Sequence, residues 1–355
     1  MRVLTGIAGF ALLAIVVADA FQTVIVARHA QKLPRMTRLF YRLSWIPVAS
    51  IAQLVGSAAR RERFLGVYGP LSLLVLLVLW AVGLIVPFAL LQWSADLRLA
   101  DGSSSFANDL YFSATTFFTL GLHEPQNLAS KYLMVLEAGF GFSFLGLVIG
   151  YLPVLYQSFS SRELRILLLD ARAGSPPSAL EFLLRRGNDP EKLEERLREW
   201  EEWSLDLLQT HLSYPMLAYY RSQHANQSWL AALVAVIDVS ALVMVGAEED
   251  LKRQAAFTFA AGRHALGHTA SLFEMRPRHP KDRLPEKEFA RLCDAIAAGH
   301  TPLRPERLSE AELRKLRAMY EPYAHGLAVY LVMTLPPWIP REVASDNWQV
   351  ASWDR

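Results

Sequence analysis

Apolar residues along this chain gather into three long runs, roughly Val3–Ala27, Val67–Trp93 and Tyr132–Tyr156, and the pattern changes character near Ser160. Each run reaches the about 20 residues that a helix needs to cross ~30 Å of hydrocarbon. A weaker run, Leu39–Ala59, is interrupted by Arg42 and Pro47 and flanked by basic residues. It predicts a helix lying along the membrane surface, with Phe40, Trp45 and Ile46 towards lipid. Beyond Ser160 apolar positions recur every three or four residues, as in Leu193, Leu197, Trp200, Trp203 (or Ser204) and Leu207, which is the helical period. Ser160 with Glu163, Ser178 with Glu181, and Ser309 with Glu312 each match a capping box, in which side chains satisfy the free amides of a helix start. Asp189-Pro190 reads as an N-cap followed by proline at the first helical position. Breaks fall at Gly174-Ser175-Pro176-Pro177, Tyr214-Pro215, Arg276 to Pro285 and Thr301-Pro302. With no alternating strand pattern and no internal repeat, the second half should be all-α. Ser228–Gly246 carries a single charge, Asp238, and suits either a buried helix of a globular domain or a further crossing. The buried helix is the expectation, because a fourth crossing would export a domain with no visible adaptation to export.

Charge sharpens the division. Residues 1–159 carry 11 basic and 7 acidic side chains, whereas residues 160–355 carry 25 and 27. The first part is too apolar for a water-exposed domain, and the second has an ordinary globular composition. The net charge of +2 excludes a polyanion-binding arm by bulk charge, so no nucleic-acid partner is expected. One cysteine, Cys293, excludes an intrachain disulfide and a multi-cysteine metal site. His264 and His268 stand four apart, as zinc ligands can, but no third ligand is near, and they are read as a solvated or capped pair. Gly139-Phe140-Gly141 belongs to a crossing rather than to a strand-turn-helix, and no phosphate loop or nucleophile constellation occurs. No metal, cofactor or enzymatic activity is expected.

Basic residues also set a topology. Arg28, Lys32, Arg35, Arg38, Arg42, Arg60, Arg61 and Arg63 lie between the first and second runs against one acid, Glu62, and such a loop stays in the cytoplasm. The first run mimics a secretory signal through Arg2 and Ala18-Asp19-Ala20, but cleavage would start that loop outside. An uncleaved first helix running inwards gives three crossings, with the N-terminus outside and the C-terminus inside a plasma (inner) membrane.

Between the second and third runs lies a loop too long for a turn and too apolar in its middle for a water-exposed surface. After Ser94, Asp96, Arg98, Asp101 and Gly102 it continues Asn108-Asp109-Leu110-Tyr111-Phe112-Ser113-Ala114-Thr115-Thr116-Phe117-Phe118-Thr119-Leu120-Gly121-Leu122-His123-Glu124-Pro125. About ten residues of helix cannot span the bilayer but can enter ~15 Å and stop. Backbone that turns back at that depth must line water or protein. The pattern predicts a re-entrant pore loop.

These residues resemble the pore-loop potassium channels, whose filter reads Thr-Val-Gly-Tyr-Gly-Asp or Thr-Ile-Gly-Phe-Gly-Asp after a pore helix often beginning Tyr-Phe-Ser. Tyr111-Phe112-Ser113, Thr116 and Thr119-Leu120-Gly121-Leu122-His123-Glu124 match that register without a gap, over about residues 66–158. The resemblance implies that carbonyls around Thr119, Leu120, Gly121, Leu122 and His123 replace the hydration shell of a monovalent cation, K+ first among them, in a homotetramer. Two departures stand out. His123 replaces the second filter glycine, where a side chain costs roughly 1–2 kcal/mol in left-handed backbone. Leu122 replaces the bracing aromatic ring. Asp96, Asp101, Asp109 and Glu124 against Arg98 give the external stretch from Ser94 to Ser130 a net charge of −3, which fits a cation mouth at Glu124 and Asp109. In the third run Glu137 either braces the pore helix or meets solvated headgroups. Gly141 and Gly146 suit close packing or a gating hinge, and Pro153 a kink.

The expected architecture is thus an all-α membrane protein with three transmembrane helices and a re-entrant loop. It divides into a first crossing (1–30), a basic segment with an interfacial helix (31–65), a pore domain (66–158) and a cytoplasmic all-helical domain (160–355). The expected function is a tetrameric cation channel; the alternative is a non-conducting, membrane-anchored signalling or interaction protein on a channel-like scaffold.

Overall fold

The computed structural model describes residues 2–24, 36–99, 105–185, 188–224, 226–275, 277–278 and 282–340. Among them the chain is all-helical, with no strand. Arg28, Lys32 and Arg35 of the basic loop, Asp101 and Gly102 of the external loop, and Arg276 lie outside the described residues. In order come α1 (Arg2–Val24), α2 (Met36–Leu54), α3 (Ala58–Ser94), α4 (Phe106–Phe117), α5 (Leu128–Ala173), α6 (Ala179–Leu184) and α7 (Pro190–Ser213). They are followed by α8 (Trp229–Gly246), α9 (Glu249–Leu272), α10 (Glu286–Ala298), α11 (Glu310–Ala318) and α12 (Glu321–Leu331). Four of these, α1, α3, α5 and α8, are long and apolar enough to cross a membrane.

The chain divides into two compact units, Met1–Pro47 with Tyr68–Gln157, and Val48–Val67 with Ser158–Arg355. Helices α3 and α5 run through both, at 37 and 46 residues. At 1.5 Å per residue they measure ~55 and ~69 Å, well beyond the hydrocarbon thickness. Continuity of α5 corrects the expected cap at Ser160, which lies inside the helix. Glu163 instead pairs with Arg162 at 3.1 Å and accepts hydrogen bonds from Ser222 Oγ and the Gln223 amide. The other expected caps form: Ser178, Asp189 and Ser309 accept from the amides of Glu181, Lys192 and Glu312.

In the first unit, α1 lies close to α3 because its contact residues are small. A Cβ on Gly9 would stand 2.9 Å from the Pro87 carbonyl, and one on Gly83 would stand 3.2 Å from Val16. Asp19, buried in α1, accepts from Trp80 Nε1 on α3 at 3.0 Å and from the Thr37 amide and hydroxyl on α2 at 3.3 and 2.7 Å. This knot holds the start of α2. Leu39, Leu43, Ile46 and Leu54 form one exposed stripe of α2 at helical spacing. Trp45 corrects the expectation, being 1% exposed, with its ring 4.9 Å from that of Tyr68.

In the second unit, α8 is the central helix, in contact with α6, α7, α9, α11 and α12. Protein buries 94% of its apolar stretch, against 17% for α1 and 11% for α5. All five anticipated apolar positions of α7, from Leu193 to Leu207, are buried with Ser204 between them. Asp238, the one charge of α8, is fully buried and pairs with Arg283 at 2.6 Å. Arg283 also reaches Glu321 at 3.1 Å, Tyr320 donates its hydroxyl to Asp238, and the guanidinium groups of Arg283 and Arg317 lie over the Trp338 ring. A buried ion pair survives only when hydrogen bonds satisfy its remaining atoms, and this network supplies them.

Candidate pore loop

Helix α4 starts because Ser105 accepts a hydrogen bond from the Asn108 amide. It stops twelve residues later in a Schellman arrangement: the Thr119 amide donates to the Thr116 carbonyl at 2.9 Å and the Leu120 amide to the Thr115 carbonyl at 2.8 Å. This motif requires a left-handed residue, which is Thr119, with φ of 58°. A β-branched residue in that region is an outlier and stores strain. Gly121, with φ of 60°, is the second left-handed position of the segment. His123 is not left-handed, so the strain expected at this position does not arise; it falls at Thr119 instead.

One face of α4 is buried. Phe112 packs with Leu97, Leu99 and Met134, while Ser113, Thr116 and Asp109 are buried on the same helix. Ser113 Oγ is 2.9 Å from the Ile85 carbonyl on α3 and hydrogen bonds to Glu137 on α5. Of the two readings for Glu137, the structure has the brace: the carboxyl is fully buried against α4. Gly141 lets the end of α4 approach α5, because a Cβ there would stand 1.9 Å from the Phe117 carbonyl. Gly139 and Gly146 face open space in the same chain. Gly141 is therefore a contact residue of α4. Pro153 lies in the interior of α5, where its ring removes the hydrogen bond to the Ile149 carbonyl.

Beyond α4 the chain is exposed from Phe118 to Glu124, including Leu120 and Leu122. Tyr111, at the exposed side of α4, holds its ring 6.3 Å from that of His123. Two of the external acids are paired. Glu124 pairs with Lys131 at 2.7 Å, which holds its carboxyl below the usual range. Asp96 is likewise held down by Arg98 at 3.0 Å and Arg2 at 2.8 Å. Asp109 is buried. Lys131 and Arg2, both outside Ser94–Ser130, thus bring two positive charges to the expected net charge of −3.

His264 and His268 form a ring pair at 4.2 Å on α9, and among the described residues no group of three metal-ligating side chains occurs. Sequence reasoning missed Asp19, whose Trp80 partner is 61 positions away, and the Asp238 network, whose Arg283 is 45 positions away. Comparison of the chain with family models, curated proteins and solved structures gives no match.

Proposed function

We propose that the protein is a homotetrameric cation channel of the inner membrane that conducts through the loop Thr119–Glu124. In this reading α1, α3 and α5 cross the bilayer, α4 enters it and stops, and Ser158 onwards forms a cytoplasmic helical domain built around α8. The observation that carries it is the short helix between two long apolar ones, ending in left-handed Thr119 and followed by a segment exposed in the single chain. The resemblance to potassium channels makes K+ the expected ion. Four copies would turn the exposed backbone of Thr119, Leu120, Gly121 and Leu122 towards one axis, where carbonyls replace water around a cation. The negative end of each α4 would point at the cavity below. Exposed apolar side chains such as Phe10, Leu74, Val78, Phe142 and Ile149 would then meet lipid or neighbouring copies.

A second reading keeps the fold and drops conduction: a membrane-anchored interaction protein. The pairing of Glu124 with Lys131 and His123 at a glycine position favour it. Oligomeric state tests the first reading. Native mass spectrometry from mild detergent should give four 39.9 kDa chains. A monomer or dimer in detergent and in lipid discs would leave no closed filter and remove the channel reading.

A further inference from the structure

Ser113 carries one hydroxyl proton and faces two oxygen partners. Its Oγ is 2.9 Å from the Ile85 carbonyl and hydrogen bonded to Glu137 Oε1. A carbonyl oxygen only accepts, and an ionised carboxylate also only accepts. With Glu137 ionised, both partners would compete for the same proton and one contact would set lone pair against lone pair. Both contacts are satisfied when Glu137 brings a proton of its own.

The surroundings supply no other way to hold a charge there. Glu137 is fully buried, and its second oxygen, Oε2, has no hydrogen-bond partner among the described residues. Helix α3 offers the Ile85 carbonyl and, two turns further, the uncharged Gln92, whose amide donates to the Ser130 carbonyl. Helix α4 offers Ser113 and, one turn earlier, Asp109, another acid. On α5 itself the nearest cation in sequence is Lys131, which is paired with Glu124. Asp19, the buried acid of α1, has the opposite inventory: it accepts from three donors.

We infer that Glu137 is a carboxylic acid whose proton completes a relay, Glu137 to Ser113 to the Ile85 carbonyl, that fastens α5 through α4 to α3. The relay makes Glu137 a positioning residue for the loop after α4, acting through Ser113. Removing the proton leaves a buried charge with no counterion among the described residues and loosens the tie between α4 and α3. The consequence for conduction rests on the proposed channel function, but the protonation state does not.

The test uses the full-length protein in liposomes. Infrared difference spectra between the wild type and Glu137→Gln at neutral pH should show a carboxylic-acid C=O band that belongs to Glu137 and shifts in Ser113→Ala. A hydrophobic carbodiimide, which reacts only with protonated carboxyls, should label Glu137 on the wild-type protein, as read by peptide mass. Glutamine retains an N–H donor for Ser113, so Glu137→Gln should keep cation flux within about twofold and lose any fall of flux at alkaline pH. Glu137→Ala should lose about tenfold. A carboxylate band in place of the acid band, with no carbodiimide adduct, overturns the inference even if the variants fail to fold. So does a Glu137→Gln variant as damaged as Glu137→Ala. Wild-type protein that shows the acid band but conducts nothing would remove the channel reading and leave this one standing.

Discussion

The carbonyl oxygen of Phe117, at the end of α4, lies so close to Gly141 of α5 that a Cβ on Gly141 would stand 1.9 Å from it. Backbone cannot retreat as a flexible side chain can, so the seat of α4 depends on the absence of that one carbon.

Gly141→Ala should therefore push α4 from its seat, at a cost of about 1–3 kcal/mol or more for overpacking. Thermal unfolding in detergent should show a lowered midpoint. Gly139→Ala and Gly146→Ala, at positions facing open space in the chain, should leave the midpoint unchanged. Equal effects from all three would mean that α4 does not rest on Gly141.

Thr119→Gly should do two opposite things. Glycine relieves the left-handed backbone, which stabilises the fold by about 1 kcal/mol. It also deletes the hydroxyl proposed to face the ion path. A raised unfolding midpoint with reduced flux is the expected pair of results, and a lowered midpoint would show that the threonine side chain, not its strain, governs the turn.

Much of the fold could be read from the chain. The apolar runs foretell α1, α3 and α5, and the stripe from Leu193 to Leu207 foretells the buried face of α7. What escaped was non-local. A capping box at Ser160 is a local signal, and the continuity of α5 overrides it. Trp45 reads as lipid-facing until Tyr68, 23 residues on, is placed against it. Asp19 looks like part of a cleavage site because its donors, Thr37 and Trp80, arrive from two other helices. The loop was legible in its residue order but not in its strain, since no motif says which residue takes the left-handed turn.

His211 should make the helical unit sensitive to acid. It is fully buried, its Nδ1 lies 2.8 Å from the Leu207 carbonyl, and its ring is 4.6 Å from that of Trp229. Burial, with Arg162 nearby, pushes its pKa down to about 3, and burial with Arg283 pushes His325 down to about 4. Both are uncharged when folded, whereas the unfolded chain takes up their protons below its ordinary histidine pKa of about 6.5. Stability should thus fall as pH falls from about 6.5 towards 4. Tryptophan fluorescence should report the falling unfolding midpoint, and His211→Leu should flatten it; an unchanged slope would show that His211 takes no part.

Asp238→Ala should destabilise the same unit by about 3–5 kcal/mol, because Arg283 would lose its fully buried partner. Adding Arg283→Met should recover much of that loss in a denaturant titration. No recovery would mean that packing around α8, rather than charge pairing, sets the cost.

Ion flux tests the central claim most directly. Purified protein in liposomes, loaded in turn with K+ and Na+, should release cations, K+ ahead of Na+. His123→Gly, which gives this position the glycine of the potassium-channel filter, should raise K+ over Na+ selectivity. Liposomes that hold a verified tetramer and release neither ion, with or without His123→Gly, would contradict the account and leave the non-conducting reading in its place.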